Sequence, residues 1–133
     1  MDCPAPEPET ILVVEDDPQI LDLVTHILKS EGYSVLSAGS GEEGLHIGTQ
    51  YGRKIHMLLT DIVMPRISGG ELASQLRLYR PHIQVLFMSG YTKYTKAAHG
   101  TLQSAEDFIW KPFSSSDLTL KVREMLAAGQ TPE

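Results

Sequence analysis

The sequence predicts an α/β fold in which helices cover both faces of one parallel sheet. Five short strand signals alternate along the chain with helical patterns, an arrangement typical of parallel strands joined by crossover helices. Three of these signals are continuously apolar, as expected for central strands buried on both faces. The 133 residues, of which 41% are hydrophobic and 21% charged, suit one domain with its own core.

The amino-terminal half predicts two strands and two helices. The first strand is the apolar run Ile11–Val14. Pro18 is a good first helical residue, and apolar residues then recur at helical spacing until Gly32 ends the pattern. Polar and apolar residues alternate over 33–38, which predicts a less buried second strand. The second helix, over 40–50, begins with a serine cap followed by two glutamates.

The carboxyl-terminal half predicts three more strands and three helices. Apolar runs at 58–59 and 85–88 predict strands that form the middle of the sheet together with the first. A third helix ends before Pro81, the poorly patterned stretch 93–100 is assigned a short fourth helix, and a strand begins at Phe108. The apolar positions of the third helix and of the last, serine-capped helix are Leu72, Leu76 and Tyr79, then Leu118, Val122, Met125 and Leu126.

The two ends of the chain differ in composition from the part between them. Residues 1–9 hold three of the eight prolines and no apolar periodicity, which indicates a linker or the severed end of something larger. Residues 129–133 are polar and are expected to form a disordered tail. The domain itself is predicted to span residues 10–128.

Charge and composition exclude several classes of function. A net charge of -6 repels nucleic acid and anionic membranes, so we expect this domain to bind neither. Cys3 is the single cysteine and cannot form an intramolecular disulfide. Since no apolar stretch has the length of a membrane span or a signal peptide, the sequence indicates a cytoplasmic, reduced protein.

Polar residues that suit phosphoryl transfer follow four of the predicted strands. They are Asp16 and Asp17 after the first strand, Asp61 after the third, Ser89 after the fourth and Lys111 after the fifth. In an open parallel sheet the carboxyl ends of the strands form one crevice, so these side chains are expected to meet. Transfer to an aspartate requires a carboxylate nucleophile, a divalent metal and a cation or hydroxyl for the remaining oxygens.

Each of these side chains has an expected role in that chemistry. Asp61 is best placed to be the nucleophile, while Asp16 and Asp17 offer the hard oxygen ligands that Mg²⁺ prefers. Three carboxylates in one crevice repel each other, which itself argues for a bound cation. Lys111 provides a compact positive charge for the phosphoryl group, and Ser89 provides a hydroxyl that can donate or accept.

The chain from Ile11 to Leu126 resembles the receiver domains of two-component response regulators. The resemblance is carried by the acidic pair, the phosphoacceptor, the hydroxyl and the Lys-Pro step described above, and by Pro65 and Gly69 in the loop after Asp61. It implies a flavodoxin-like sheet of strand order 2-1-3-4-5. It also implies that the carbonyl of Val63 is a further ligand to Mg²⁺ and that the peptide bond after Lys111 is cis.

The resemblance implies a signalling switch. Asp61 would accept a phosphoryl group from the phosphohistidine of a sensor histidine kinase or a phosphotransfer domain. Ser89 would then move toward the phosphoryl group, and Phe108, which stands where receivers often have tyrosine, would follow it inward. Such a domain is not a standalone enzyme, although it assists its own phosphotransfer and dephosphorylation.

A more specific likeness is to receivers attached to hybrid sensor histidine kinases. It rests on the segments VLFMSGYT, FIWKPF and KVREML. The proline-rich start would then be the severed linker, and the parent protein a hybrid kinase whose cytoplasmic end carries this domain. No nucleotide-binding motif is present and no histidine lies in a kinase phosphoacceptor box, so this chain is not itself the kinase.

Other interpretations stay open at this point. A haloacid dehalogenase-type phosphatase needs Asp-x-Asp after the first strand, whereas Pro18 stands two residues after Asp16. A flavodoxin-type carrier needs a glycine-rich phosphate loop where this chain has EDDP. A receiver-like module that is never phosphorylated is a third possibility. Among single residues, Asp17 could simply cap the next helix, Ser89 could form a turn and Phe108 could be core. No histidine is assigned a role.

Overall fold

The computed structural model describes residues 8–90 and 107–129. The predicted fourth helix over 93–100 lies outside these ranges, as do residues 1–7 of the predicted linker and 130–133 of the predicted tail. Within them the strands are β1 Thr10–Val14, β2 Ser34–Ala38, β3 Met57–Asp61, β4 Gln84–Gly90 and β5 Asp107–Lys111. The helices are α1 Pro18–Ser30, α2 Gly41–Gln50, α3 Gly69–Tyr79 and the C-terminal helix Ser115–Gly129.

The strands form one parallel sheet in the order β2-β1-β3-β4-β5. This confirms both the predicted fold class and the strand order that the resemblance implied. The three continuously apolar strands β1, β3 and β4 are interior, while β2 lies at an edge and is mostly half-buried. Because all pairs are parallel, the carboxyl ends of the strands meet at one edge of the sheet.

Two apolar layers flank the sheet. Alternate residues of β1 enter opposite layers: Ile11 and Val13 face α1 and the C-terminal helix, while Leu12 and Val14 face α2 and α3. All four of these side chains are fully buried. The unbroken apolar sequence of the strand follows from this burial on both faces.

Local capping fixes where the helices begin. Ser68 and Glu71 form a reciprocal capping box at the start of α3, and Ser114 accepts a hydrogen bond from the amide of Asp117 at 3.0 Å before the C-terminal helix. Tyr79 departs from the expected stripe of α3, since it is 65% exposed at the last position of the helix. In the described part of the chain, every helix is too short or too polar to span a bilayer.

Candidate functional site

The sheet brings most of the predicted site residues to its carboxyl edge. In the register of the sheet Asp61 of β3 is paired with Met88 of β4, and Ser89 directly follows Met88. Lys111 is paired with Gly90, one residue further along β4. Asp16 follows β1, which is the other neighbour of β3. Residues far apart in sequence are therefore juxtaposed by parallel pairing alone.

Three carboxylates form a cluster at this edge. Glu15, Asp16 and Asp61 each place a carboxylate oxygen within 4.8 Å of the other two. Glu15 is 1% exposed, Asp61 is half-buried and Asp16 is exposed, so the cluster runs from the core to the surface. Oxygen ligands gathered in this way suit a hard divalent cation such as Mg²⁺.

The structure places Glu15, and not Asp17, beside Asp16 in this cluster. Asp17 is the N-cap of α1: its Oδ1 accepts a hydrogen bond of 2.9 Å from the amide of Gln19. Its own amide donates to Glu15 Oε2 at 3.1 Å. The structure thus groups Asp16 with Glu15, where the sequence had paired it with Asp17, and Asp17 has the capping role that the sequence had left open. The metal ligands themselves stay a prediction.

Lys111 lies between the buried members of the cluster. Its Nζ is 2.6 Å from Glu15 Oε1 and 3.5 Å from Asp61 Oδ2. The peptide bond from Lys111 to Pro112 is cis, as the resemblance implied. The ammonium group contacts Glu15 at hydrogen-bond distance and Asp61 less closely, so in this state Glu15 is its principal partner.

The pKa values of Glu15 and Asp61 are raised above those of exposed carboxyls. Burial raises the pKa of Asp61, and the nearby carboxylate of Asp16 raises it further, while Lys111 lowers it in part. Burial likewise raises the pKa of Glu15, against the opposing effect of its hydrogen bond to Lys111. Among the described residues, the ammonium group of Lys111 does not fully compensate this negative charge, and the residual field attracts a cation.

The loop from Ile62 to Ser68, between β3 and α3, is tightly packed against the site. The amide of Gly69 donates to the carbonyl of Ile62 at 2.8 Å. A Cβ atom on Gly69 would lie far inside van der Waals contact with the carbonyl oxygen of Asp61. Only glycine fits this position without moving the backbone of Asp61, which explains the glycine eight residues after it.

The two residues expected to report phosphorylation lie on neighbouring strands. Ser89 is 1% exposed near the end of β4. Phe108 of β5 is half-buried, and its ring centre is 5.6 Å from that of Phe87 at an interplanar angle of 32°. The movement of these two side chains on phosphorylation stays a prediction. Val63, whose carbonyl was expected to bind the metal, is 50% exposed in the loop after β3.

This arrangement suits attack by a carboxylate on a phosphoryl group. Asp61 could supply the nucleophilic oxygen, and Glu15 and Asp16 could hold a divalent cation beside it. Lys111 could exchange a carboxylate partner for a phosphoryl oxygen without moving far.

Comparison with known proteins agrees with this chemistry. Residues 11–123 match the family described as the response regulator receiver domain. The chain is 36% identical over 117 residues to the sensor kinase CckA of Brucella abortus, in a match that covers 88% of this chain and 12% of that protein. It is 31% identical over 116 residues to the cell cycle response regulator CtrA of the same species, covering 87% of this chain and 49% of that one. The chain thus spans half or less of the curated relatives that it matches first.

Solved structures give the same likeness. The receiver domain of the hybrid histidine kinase CckA is 32% identical with a TM-score of 0.75, over 88% of this chain and 98% of that chain. A CheY-like receiver domain protein from Methanospirillum hungatei is 31% identical with a TM-score of 0.79, over 92% of this chain and 97% of that one.

Proposed function

This chain belongs to the response regulator receiver domains, the phosphoacceptors of two-component systems, and we propose that Asp61 is the residue that accepts its phosphoryl group. The observation that carries the proposal is the position of the Asp61 carboxylate at the end of β3, clustered with Glu15 and Asp16 and 3.5 Å from Lys111. Membership in the family sets aside the phosphatase and flavin-carrier alternatives.

We propose that Mg²⁺ is held by Glu15, Asp16 and Asp61 together with the backbone carbonyl of Val63. The donor set fits the ion because all of its donor atoms are oxygens. The raised pKa values of Glu15 and Asp61 also indicate that the positive charge around these carboxyls is insufficient to neutralise them. When bound, the ion neutralises negative charge on the acid and phosphoryl oxygens. The carbonyl of Val63 comes from the family resemblance.

In the proposed transfer a carboxylate oxygen of Asp61 attacks the phosphorus of a partner's phosphohistidine. A phosphorus–oxygen bond forms as the phosphorus–nitrogen bond breaks, and the electron pair remains on the imidazole nitrogen, which takes up a proton from solvent. Lys111 leaves Glu15 and pairs with the phosphoryl oxygens. The proposed partner is a sensor histidine kinase or a phosphotransfer domain.

Phosphorylation is proposed to change the surface formed by β5 and the C-terminal helix. Ser89 moves toward the phosphoryl group and Phe108 follows into the vacated space, so that a local charge biases a two-state element. The test is an NMR comparison of the phosphorylated wild type with Ser89→Ala. Unchanged phosphorylation-induced shifts on β5 and the C-terminal helix of the variant would show that the coupling does not run through Ser89.

We further propose that this domain acts within a hybrid sensor histidine kinase and at its cytoplasmic end. The likeness to the sensor kinase CckA of Brucella abortus and to the receiver domain of the hybrid kinase CckA supports this placement. The domain supports its own phosphotransfer and dephosphorylation and is not proposed to act as a standalone enzyme, nor to bind nucleic acid or membrane itself.

The phosphoacceptor is tested by intact-mass measurement with acetyl phosphate and Mg²⁺. We expect a single phosphate adduct on the wild type that is lost in Asp61→Asn and in the presence of EDTA. Glu15→Gln should reduce the adduct strongly, whereas Asp17→Asn, its control in the same loop, should retain it. An adduct that persists in Asp61→Asn would refute the assignment of Asp61, and an unmodified wild type even with a phosphohistidine donor would favour a receiver-like interaction module.

A further inference from the structure

The loop from Ile62 to Ser68 is held at both ends by the backbone of the site. The amide of Ile62 donates to the carbonyl of Met88 at 3.1 Å, which ties the start of the loop to β4. The amide of Gly69 donates back to Ile62 at 2.8 Å, which ties the end of the loop to its start. A displacement of the loop therefore has to be absorbed between these two anchors, where Val63 lies.

A third contact joins this loop to the start of α2. A Cβ atom on the buried Gly41 would lie 2.8 Å from the carbonyl oxygen of Ile67 and 2.9 Å from its Cβ. Since one of these atoms belongs to the backbone, no change of rotamer can relieve the overlap. The chain neighbours of these two residues form an ion pair: Arg66, which precedes Ile67, places its Nη1 3.0 Å from Oε1 of Glu42, which follows Gly41.

The steric contact, and not the ion pair, is expected to fix the loop. The side chains of Arg66 and Glu42 are 75% and 50% exposed, and exposed pairs contribute little. Arg66 nevertheless has a φ of 68°, a left-handed conformation that arginine seldom adopts. The loop thus makes a sharp turn immediately before it packs against Gly41, which leaves little freedom at that point.

We infer that Gly41 is a positioning residue: by letting Ile67 pack directly on α2, it sets the position of the loop that carries Val63 and thereby the affinity of the acidic cluster for Mg²⁺. This inference rests on the proposed function of the cluster. Because α2 contributes no proposed ligand, the contact between Gly41 and Ile67 would link metal affinity to a helix outside the acidic cluster.

The test compares two alanine substitutions on the same face of α2. Gly41→Ala pushes a methyl group into the loop, whereas Gly48→Ala pushes one into Leu76 of α3, away from the site. Mg²⁺ affinity is measured by titration of the fluorescence of Trp110, the single tryptophan, which neighbours Lys111. We expect the dissociation constant to rise on the order of tenfold in Gly41→Ala and to stay unchanged in Gly48→Ala.

Hydrogen exchange gives a second readout that does not depend on the metal. The amides of residues 63, 64, 66 and 67 should exchange faster in Gly41→Ala than in Gly48→Ala, with both variants compared at equal fractions folded. Gly52→Ala, whose Cβ would meet no atom within 4 Å, serves as the neutral control. Equal Mg²⁺ affinity in Gly41→Ala and wild type, or equal weakening in Gly41→Ala and Gly48→Ala, would overturn the inference.

A second variant approaches the contact from the loop. Ile67→Ala removes the packing on α2 without adding bulk, and we expect weaker Mg²⁺ binding, with Ile47→Ala on α2 as the matched control. If Gly41→Ala does not fold, unchanged affinity in Ile67→Ala overturns the inference on its own. A wild type that binds no Mg²⁺ would refute the proposed function and the inference together, whereas normal binding in all variants refutes only the inference.

Discussion

The contact between Lys111 and Glu15 gives the sharpest prediction about the resting site. The substitution is Lys111→Met, which keeps much of the length of the side chain and removes its charge. Glu15 is then left 1% exposed without its partner at 2.6 Å, and Asp61 loses the ammonium at 3.5 Å. The variant therefore places uncompensated carboxylates in a largely buried site.

The structure sets the expected size of the effect. Removing one partner of a buried ion pair costs about 3–5 kcal/mol of unfolding free energy. The Lys111 side chain is 19% exposed, and Glu15 can take up a proton, so we expect a loss of about 2–3 kcal/mol at neutral pH without metal. Mg²⁺ should bind more tightly to the variant, because no ammonium group competes for Glu15. A tenfold tighter site would return about 1.4 kcal/mol at saturating Mg²⁺.

The assay is urea unfolding at neutral pH with and without Mg²⁺. Lys29→Met is the control, since Lys29 is exposed in the last turn of α1 and its loss should change the unfolding free energy by less than about 0.5 kcal/mol. A metal-free Lys111→Met protein as stable as the wild type, with unchanged Mg²⁺ affinity, would refute the idea that Lys111 neutralises Glu15 in the resting state.

Of three further predictions, two concern stability and one concerns the phosphate adduct. The guanidinium group of Arg80 donates three hydrogen bonds of 2.6–2.9 Å to backbone carbonyls at and beyond the end of α2, so Arg80→Met should lower the unfolding free energy measured in urea by about 2–4 kcal/mol. Arg80→Lys can replace only part of this set, so its stability should lie between those of the wild type and Arg80→Met. Equal stability of all three proteins would contradict this prediction. Gly69→Ala should displace Asp61 and abolish the acetyl phosphate adduct in intact-mass spectra, and a normal adduct would show that the loop can adapt. The pKa values of Glu15 and Asp61 in the folded protein are raised above their ordinary values of 4.5 and 3.8. The contribution of these two groups to stability is therefore fully present below the ordinary values and is lost as the pH rises through the folded pKa values. Metal-free wild type should therefore gain stability relative to Asp61→Asn as the pH falls from neutral toward 3.8. Taking the difference between the two proteins cancels the opposite effect of His56, whose pKa is lowered by burial. A difference that does not change with pH would contradict the raised pKa.

The sequence predicted the sheet well because burial on both faces leaves a clear pattern. The runs at Ile11–Val14 and Val85–Met88 are apolar at every position, and both strands are interior. The parallel sheet then places residues that follow different strands at one edge, so the association of Asp61 with Lys111 could be predicted without any contact information.

The identity of the acidic pair could not be predicted from the same pattern. The apolar run ends at Val14, yet the amide of Glu15 still donates to the carbonyl of Ala38 at 3.1 Å, so strand pairing continues one residue beyond the apolar signal. Glu15 is thereby held in the core, and the chain turns only at Asp17, which caps α1 before Pro18. Pro18 was the available signal, because the residue before a proline at the first helical position is the expected cap.

Charge balance explains why such a site can act as a switch. The three clustered carboxylates exceed the single ammonium of Lys111 by two negative charges, which is the charge that one Mg²⁺ would supply. Converting the Asp61 carboxylate into an acyl phosphate adds about one further negative charge, so the balanced site becomes short of a positive partner. Lys111 can turn from Glu15 to the phosphoryl oxygens, but Glu15 then loses its hydrogen bond. Among the residues that the structure describes, neutral donors are left to meet the remaining deficit. Ser89 follows the register partner of Asp61 on the next strand, so its hydroxyl is the side-chain donor that we expect to move. The proposed movement of β5 would thus originate in a charge imbalance that phosphorylation creates and that the unphosphorylated site with Mg²⁺ bound does not have.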